Sequence, residues 1–128
     1  MIYRCSVQLT WGVARAALKI VNLELNRPAV PMALSLLEDA LRIARSEKYV
    51  AVKLIHGYGS SGVGGDIRIA VQKTLAQKAN ARELRAFIPG EDWRISNEFS
   101  WDLLKRCPDL KQDSDLGRAN RGITIVVL

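Results

Sequence analysis

The chain has 128 residues, of which 48% are hydrophobic and 25% are charged, and its formal net charge is +6. This length suits one domain with its own core, and the composition is that of an ordinary globular protein. One histidine and two cysteines argue against a zinc site and a disulfide framework. No stretch reaches the apolar length of a membrane span, so no membrane partner is predicted.

The basic excess has two readings. It favours a polyanionic partner such as nucleic acid, or it serves only to keep the surface soluble. The two cysteines, Cys5 and Cys107, show no metal spacing and are expected to be reduced. No signal peptide is recognised, and a cytoplasmic location is predicted.

The first half of the chain predicts strand, helix, strand. Residues 1–17 do not join the later pattern and are predicted to be a weakly docked or disordered extension before a domain at 18–128. An apolar strand is predicted at 20–25, and Pro28 ends it. A helix begins near Pro31. Its buried face is expected to hold Ala33, Leu37, Ala40, Leu41 and Ala44.

The second half continues the alternation. A strand at 49–55 leads through a glycine loop at 56–65 into a helix that Asp66 is expected to cap. A third strand is predicted at 84–88, a long polar segment with a short helix near 97–106 follows, and a last strand covers 123–128. Trp101 is expected to pack in the core. The order predicts an α/β two-layer sandwich, with about four strands in a mixed sheet and two main helices.

The glycine loop is the main candidate site. It reads His56-Gly57-Tyr58-Gly59-Ser60-Ser61-Gly62-Val63-Gly64-Gly65 and lies between a strand and a helix N-terminus. Exposed backbone N–H groups, the helix dipole and the absence of side chains favour a phosphate there. The loop fits G-x-G-x-x-G, but four strands are too few for a dinucleotide fold. A Walker loop would need lysine and a hydroxyl residue where Gly65 and Asp66 stand.

His56, the only histidine, also has two readings. A lone strand-end histidine is usually buried and bonded to backbone, yet at the mouth of a phosphate-friendly loop it suits acid–base work, and its position favours the second reading. Tyr58 is a candidate for stacking on a base. Lys53, Arg68 and Lys73 are candidates for phosphate contacts, or they form a solvated face.

These residues resemble the Smr (small MutS-related) domain family. The resemblance rests on Ile55-His56-Gly57-Tyr58-Gly59 and on the closing Gly122-Ile123-Thr124-Ile125-Val126-Val127-Leu128, and it covers about residues 20–128. It implies a βαβαββ-type sandwich similar to the C-terminal domain of translation initiation factor three. It also implies binding of DNA or RNA, with endonuclease (hydrolase) activity in several members.

This sequence differs from the family's upstream L-D-x-H motif. Leu23-Glu24-Leu25-Asn26 stands in its place, followed by Arg27 where a glycine is usual. Asparagine cannot carry a proton as histidine does. The resemblance implies His56 and Glu24 as catalytic residues. The expected contacts to nucleic acid or phosphate are Gly57, Tyr58, Gly59, Ser60, Ser61, Gly62, Gly64, Gly65, Asn26, Arg27 and Arg68.

No cofactor is predicted. The carboxylates Glu91, Asp92, Asp113 and Asp115 are a candidate set for Mg²⁺, weighed against an ordinary acidic loop, which is favoured. The sequence therefore predicts a nucleic-acid-binding domain. If the domain is also an enzyme, the predicted activity is that of an endonuclease that nicks DNA or RNA. Two alternatives stay open. The first is a small-ligand protein that binds a nucleotide or phosphate in the same loop, and the second is a protein-interaction module without catalysis.

Overall fold

The computed structural model describes residues 17–57 and 63–128. Four strands and three helices alternate in these ranges. In chain order they are β1 (Leu18–Asn22), α1 (Val30–Ser46), β2 (Ala51–Ile55), α2 (Val63–Asn80), β3 (Ala86–Pro89), α3 (Glu98–Arg106) and β4 (Ile123–Val127). Two 3₁₀ turns, Gly90–Asp92 and Pro108–Gln112, flank α3. None of the helices in the described ranges combines the length and apolar character that crossing a bilayer requires.

The strands form one mixed sheet in the order β1-β2-β4-β3. β1 and β2 run parallel, while β4 is antiparallel to both of its neighbours. The last strand is central and buried at every position, as its continuous apolar run predicted. The predicted four-stranded mixed sheet of an α/β sandwich is confirmed.

Both faces of this sheet are covered. One face packs on α1 and α2, whose buried side chains meet Val52, Leu54 and Val126. The other face packs on α3 and its flanking turns, where Trp93 and Leu103 contact the sheet. The long segment before β4 is therefore a cover for the second face of the sheet. Sequence periodicity predicted the helices on the first face. It did not predict that the long segment packs against the other face of the sheet.

The helices follow their local signals, with one correction. The buried face of α1 holds the five predicted residues, and Asn97 caps α3 by accepting N–H bonds from Phe99 and Ser100. α2, however, begins at Val63, so Asp66 lies in the first turn instead of at the cap. The glycine loop is accordingly shorter than predicted, and Gly64 and Gly65 belong to the helix. An acidic residue in the first turn suits the helix dipole.

Two side-chain predictions are wrong. Trp101 is 41% exposed, with the Lys111 ammonium 5.6 Å from its ring centre. Cys107 is fully buried and disulfide-bonded, so it is not a reduced thiol. Two widely separated cysteines gave no spacing from which a bond could be predicted, and the cytoplasmic location stays a prediction without that support.

Residues 1–16 of the predicted extension lie outside the described residues. Its last residue, Ala17, is docked, since its carbonyl accepts N–H bonds from Val50 and Ala51 at 3.1 and 3.3 Å. The domain boundary at residue 18 stays a prediction.

Candidate functional site

The candidate site lies where three strands end and one begins. The strand directions bring the carboxyl ends of β1, β2 and β3 and the start of β4 to one edge of the sheet. We call this the carboxyl edge and define it by residues 23–27, 56–57, 90–92 and 120–122. Ligands of open α/β sheets commonly bind at such an edge.

Gly122 joins the strands of the carboxyl edge. Its carbonyl accepts N–H bonds from both His56 and Gly57, at 2.9 and 3.0 Å. Its own N–H is donated to the Asn120 side-chain oxygen at 2.9 Å. This arrangement fixes the point at which the chain leaves β2 and enters the glycine loop.

Glu24 lies against the loop entry. Gly57 has φ of +70°, and a Cβ atom there would overlap the Glu24 carboxylate oxygen and lie 3.2 Å from its carboxyl carbon. The carboxylate therefore occupies the space that only glycine leaves open. The predicted pair of Glu24 and His56 is close enough for the Glu24 charge to act on the imidazole.

His56 is fully buried at this edge. Its Nδ1 lies 2.6 Å from the Gly57 carbonyl oxygen and its Nε2 lies 2.8 Å from the Thr124 hydroxyl. Both ring nitrogens thus lie within hydrogen-bond distance of groups inside the protein. This agrees with the first alternative considered for His56, a buried histidine with a structural role. A direct contact of His56 with a ligand stays a prediction.

The charges around His56 come from three elements. Burial lowers the pKa of His56 below its ordinary value of 6.5, and the charge of Arg68 on α2 acts in the same direction. The Nδ1 bond to Gly57 and the charges of Glu24 and Glu91 oppose that shift without reversing it. His56 is accordingly neutral at pH 7.

Two buried polar atoms on residues whose charges act on His56 have no hydrogen-bond partner in the described part of the chain. They are Arg68 Nε and Glu91 Oε1. Buried polar groups are normally paired, and an orphaned donor on a cation is a place for an anionic acceptor. The predicted contact of Arg68 with phosphate stays a prediction.

Asn26 and Arg27 follow β1 in an exposed turn. Both have positive φ, at 64° and 46°, and the Arg27 N–H is donated to the Glu24 carbonyl at 2.9 Å. With Asn22, Glu24 and Leu25 they line an open depression beside the carboxyl edge. Arg27 is exposed to solvent on this turn.

The remaining predicted loop residues lie outside the described ranges or within α2. Tyr58, Gly59, Ser60, Ser61 and Gly62 are not described, and Gly64 and Gly65 form the first turn of the helix. Their predicted contacts with phosphate stay predictions.

Lys53 is not at the carboxyl edge. It points from the middle of β2 to the face covered by the long segment, where its ammonium binds Asp113 at 2.7 Å and Asp115 at 2.6 Å. Trp93 donates its indole N–H to Asp113 at 3.0 Å, and Asn120 donates to Asp115 at 3.0 Å. Lys53 therefore ties the long segment to the sheet and is not available to a phosphate.

The same network uses two of the candidate Mg²⁺ carboxylates. Asp113 and Asp115 bind the Lys53 ammonium. Within the described residues, no group of three histidine, cysteine or acidic side chains is arranged to hold a metal ion.

Sequence reasoning missed Thr124, the side-chain partner of His56, and Gln72, which binds Thr124 in turn. Thr124 is buried near the start of β4, and Gln72 on α2 donates its amide N–H to the Thr124 hydroxyl at 3.3 Å. A signal was present, since Thr124 is the single polar residue in an otherwise apolar strand. Its alternation with Ile123 and Ile125 puts it on the same face as the helices.

The comparisons with known proteins support the fold. The structure is similar to the crystal structure of the Smr domain of Thermus thermophilus MutS2, with a TM-score of 0.53 and 22% sequence identity. The match covers 86% of this chain and 96% of that one. No protein-family model matches the sequence, and no curated protein matches it. The chain therefore has an Smr-like fold, as the two sequence motifs predicted.

Proposed function

We propose that this protein binds nucleic acid by gripping its phosphate backbone along the carboxyl edge. The observation that carries the proposal is Arg68, whose buried Nε has no acceptor among the described residues and whose charge acts on His56. A phosphate oxygen would supply the missing acceptor. Arg27 and Arg121 are exposed on the turns at this edge. The net charge of +6 and the Smr-like fold agree with an anionic partner.

The first test is a binding titration at two salt concentrations. We expect measurable binding of DNA or RNA oligonucleotides at 50 mM salt, because bound arginines release condensed counterions. For two to four phosphate contacts, the affinity should fall roughly ten- to a hundredfold between 50 and 200 mM salt. Fluorescence anisotropy with matched single- and double-stranded probes measures both values and compares DNA with RNA.

The matched variants are Arg68→Gln and Arg42→Gln. Losing a charge-assisted hydrogen bond should weaken binding roughly tenfold in the first. Arg42 lies in the second half of α1, toward the opposite edge of the sheet, and is 70% exposed, so its loss should matter little. Absence of binding at low salt, or equal losses in the two variants, would contradict the proposal. Thermal stabilisation by mononucleotides but not by oligonucleotides would favour a small-ligand protein.

Strand cleavage is the second candidate function, favoured by the Glu24 carboxylate beside Gly57 and His56. A carboxylate in that place would orient or deprotonate a water molecule, a role typically worth about a hundredfold or more in rate. We expect nicking of supercoiled DNA, or cutting of RNA, to drop by about that factor in Glu24→Gln while binding persists. The exposed Glu98→Gln on α3 is the control. Cleavage that survives in Glu24→Gln would remove Glu24 from the mechanism.

A further inference from the structure

A chain of hydrogen bonds crosses the protein from α2 to the glycine loop through β4 and β2. It begins at Gln72, passes through Thr124 and His56, and ends at the Gly57 carbonyl. A carbonyl oxygen only accepts, so the contact of 2.6 Å requires a proton on His56 Nδ1. A neutral imidazole protonated at Nδ1 is an acceptor at Nε2.

The first two hydrogen-bonding groups of this series, Gln72 and Thr124, supply the matching donor. The Gln72 amide N–H is donated to the Thr124 oxygen at 3.3 Å, which leaves the Thr124 hydroxyl proton to point at His56 Nε2, 2.8 Å away. Each group then donates in the same direction, toward the loop. The orientation of the Gln72 amide decides this direction, because its oxygen in the same place would accept the Thr124 proton instead.

We propose that Gln72 and Thr124 are positioning residues that hold His56 in the neutral tautomer protonated at Nδ1 and thereby fix the Gly57 carbonyl at the loop entry. In this state Nε2 is occupied, so His56 exchanges a proton with a ligand only after the Thr124 hydroxyl turns away. This inference refines the site of the proposed function, but its readout does not require that nucleic acid binds.

The surroundings favour the neutral ring. His56 is fully buried, and the charged groups that face it are Arg68 on α2, Glu24 after β1 and Glu91 after β3. Two carboxylates near a buried ring would draw a proton onto it. A hydroxyl that donates to Nε2 opposes this, because it stabilises the neutral form of the ring.

The test uses the fact that the chain has one histidine, so its imidazole nitrogens give a single set of NMR signals. Long-range nitrogen–proton spectra distinguish the two tautomers and the imidazolium. At pH 7 we expect Nδ1 protonated and Nε2 bare, with an apparent pKa below 6.5. A pure Nε2-protonated signal, or an imidazolium at pH 7, would overturn the proposal.

The decisive variant is Gln72→Glu. A carboxylate at this place accepts the Thr124 hydroxyl proton, so the Thr124 oxygen turns to accept from His56. Nε2 must then carry a proton, and we expect the apparent pKa of His56 to rise, with a larger imidazolium fraction at pH 7. Gln77→Glu makes the same change at an exposed position on α2 and should leave the His56 signals unchanged. Equal shifts in both variants would show a general charge effect and contradict the proposal.

Two further variants separate positioning from packing. Thr124→Ser keeps the hydroxyl and should keep the wild-type tautomer, whereas Thr124→Val fills similar space and should lose the Nε2 hydrogen-bond signature. If Thr124→Val retains the wild-type nitrogen shifts and pKa, Thr124 has no positioning role. Because all these readouts come from the free protein, failure to bind oligonucleotides would refute the proposed function and leave this inference standing.

Discussion

Replacing Lys53 by alanine is expected to lower the free energy of unfolding by about 3–5 kcal/mol, since it leaves the largely buried Asp113 carboxylate and the partly exposed Asp115 carboxylate without their cation. The side chains of Lys53, Asp113 and Asp115 are 4%, 9% and 24% exposed, so Asp113 has the least access to water that could replace the lost ammonium. Urea unfolding monitored by tryptophan fluorescence measures the loss. Trp93 reports directly on the site because its indole binds Asp113.

Two controls make this result interpretable. Lys105→Ala removes an exposed lysine on α3 and should change stability by no more than about 0.5 kcal/mol. The triple variant Lys53→Met, Asp113→Asn, Asp115→Asn removes all three charges, and we expect it to recover most of the loss, because uncharged groups of similar size often replace a buried ionic cluster. A loss below about 1 kcal/mol in Lys53→Ala would mean that the cluster behaves as a surface ion pair.

The pKa values of the cluster give its pH window. Burial lowers the pKa of Lys53, but its bonds to Asp113 and Asp115 outweigh this and leave the pKa above 10.5. Burial raises the pKa of Asp115, but bonds from Lys53 and Asn120 leave it below 3.8. The stabilisation is therefore complete between these two unfolded-state values. It is lost as pH falls through the folded pKa of Asp115 or rises through that of Lys53.

Gly90→Ala is the second substitution with a large expected effect. A Cβ atom at Gly90 would overlap the Asn120 carbonyl oxygen and lie 2.7 Å from Ile123 Cγ1 and 2.8 Å from the Ile123 carbonyl oxygen. Two of these neighbours are backbone atoms, so no side-chain rotation relieves the contact. We expect a loss of about 3 kcal/mol or more in unfolding free energy, measured by chemical denaturation.

Gly117→Ala is the matched control for Gly90→Ala. No atom lies within 4 Å of a Cβ at Gly117, so only its φ of +77° opposes the change, at about 1–2 kcal/mol. Gly90→Ala should also disturb the site, because the pushed segment carries the Gly122 carbonyl that binds His56 and Gly57. Stability equal to that of Gly117→Ala would show that the turn at Gly90 and the segment at 120–123 move apart at little cost.

Much of the framework was predictable because the signals are local. The face of α1, the Asn97 start of α3 and the apolar run of β4 each depend on residues close in sequence. The glycine loop between strand and helix pointed to the carboxyl edge for the same reason. Strand boundaries moved by up to three residues, since β1 ends at Asn22 rather than at position 25 and its last residues turn into the site.

What failed depends on contacts that sequence spacing cannot supply. Lys53 was a candidate for a phosphate contact or for a solvated face because it is basic and near the loop, yet alternation along β2 turns it to the opposite face from His56. Its partners lie 60 and 62 positions away, in a segment whose fold has no periodic pattern. Thr124 meets His56, and Gln72 meets Thr124, for a similar reason, because the three residues lie on or beside three separate elements. A polar residue in an apolar strand was the one visible hint.

Because helices cover one face of the sheet and the long segment covers the other, the described part of the domain offers a polymer the rim of the sheet rather than a flat platform. Neighbouring strands are about 4.8 Å apart, so four of them make a rim about 15 Å long. One nucleic-acid strand advances about 3.4 Å per nucleotide, so the binding proposed above would have a footprint of about four nucleotides. A longer footprint would require a second copy of the domain or a neighbouring part of a larger assembly.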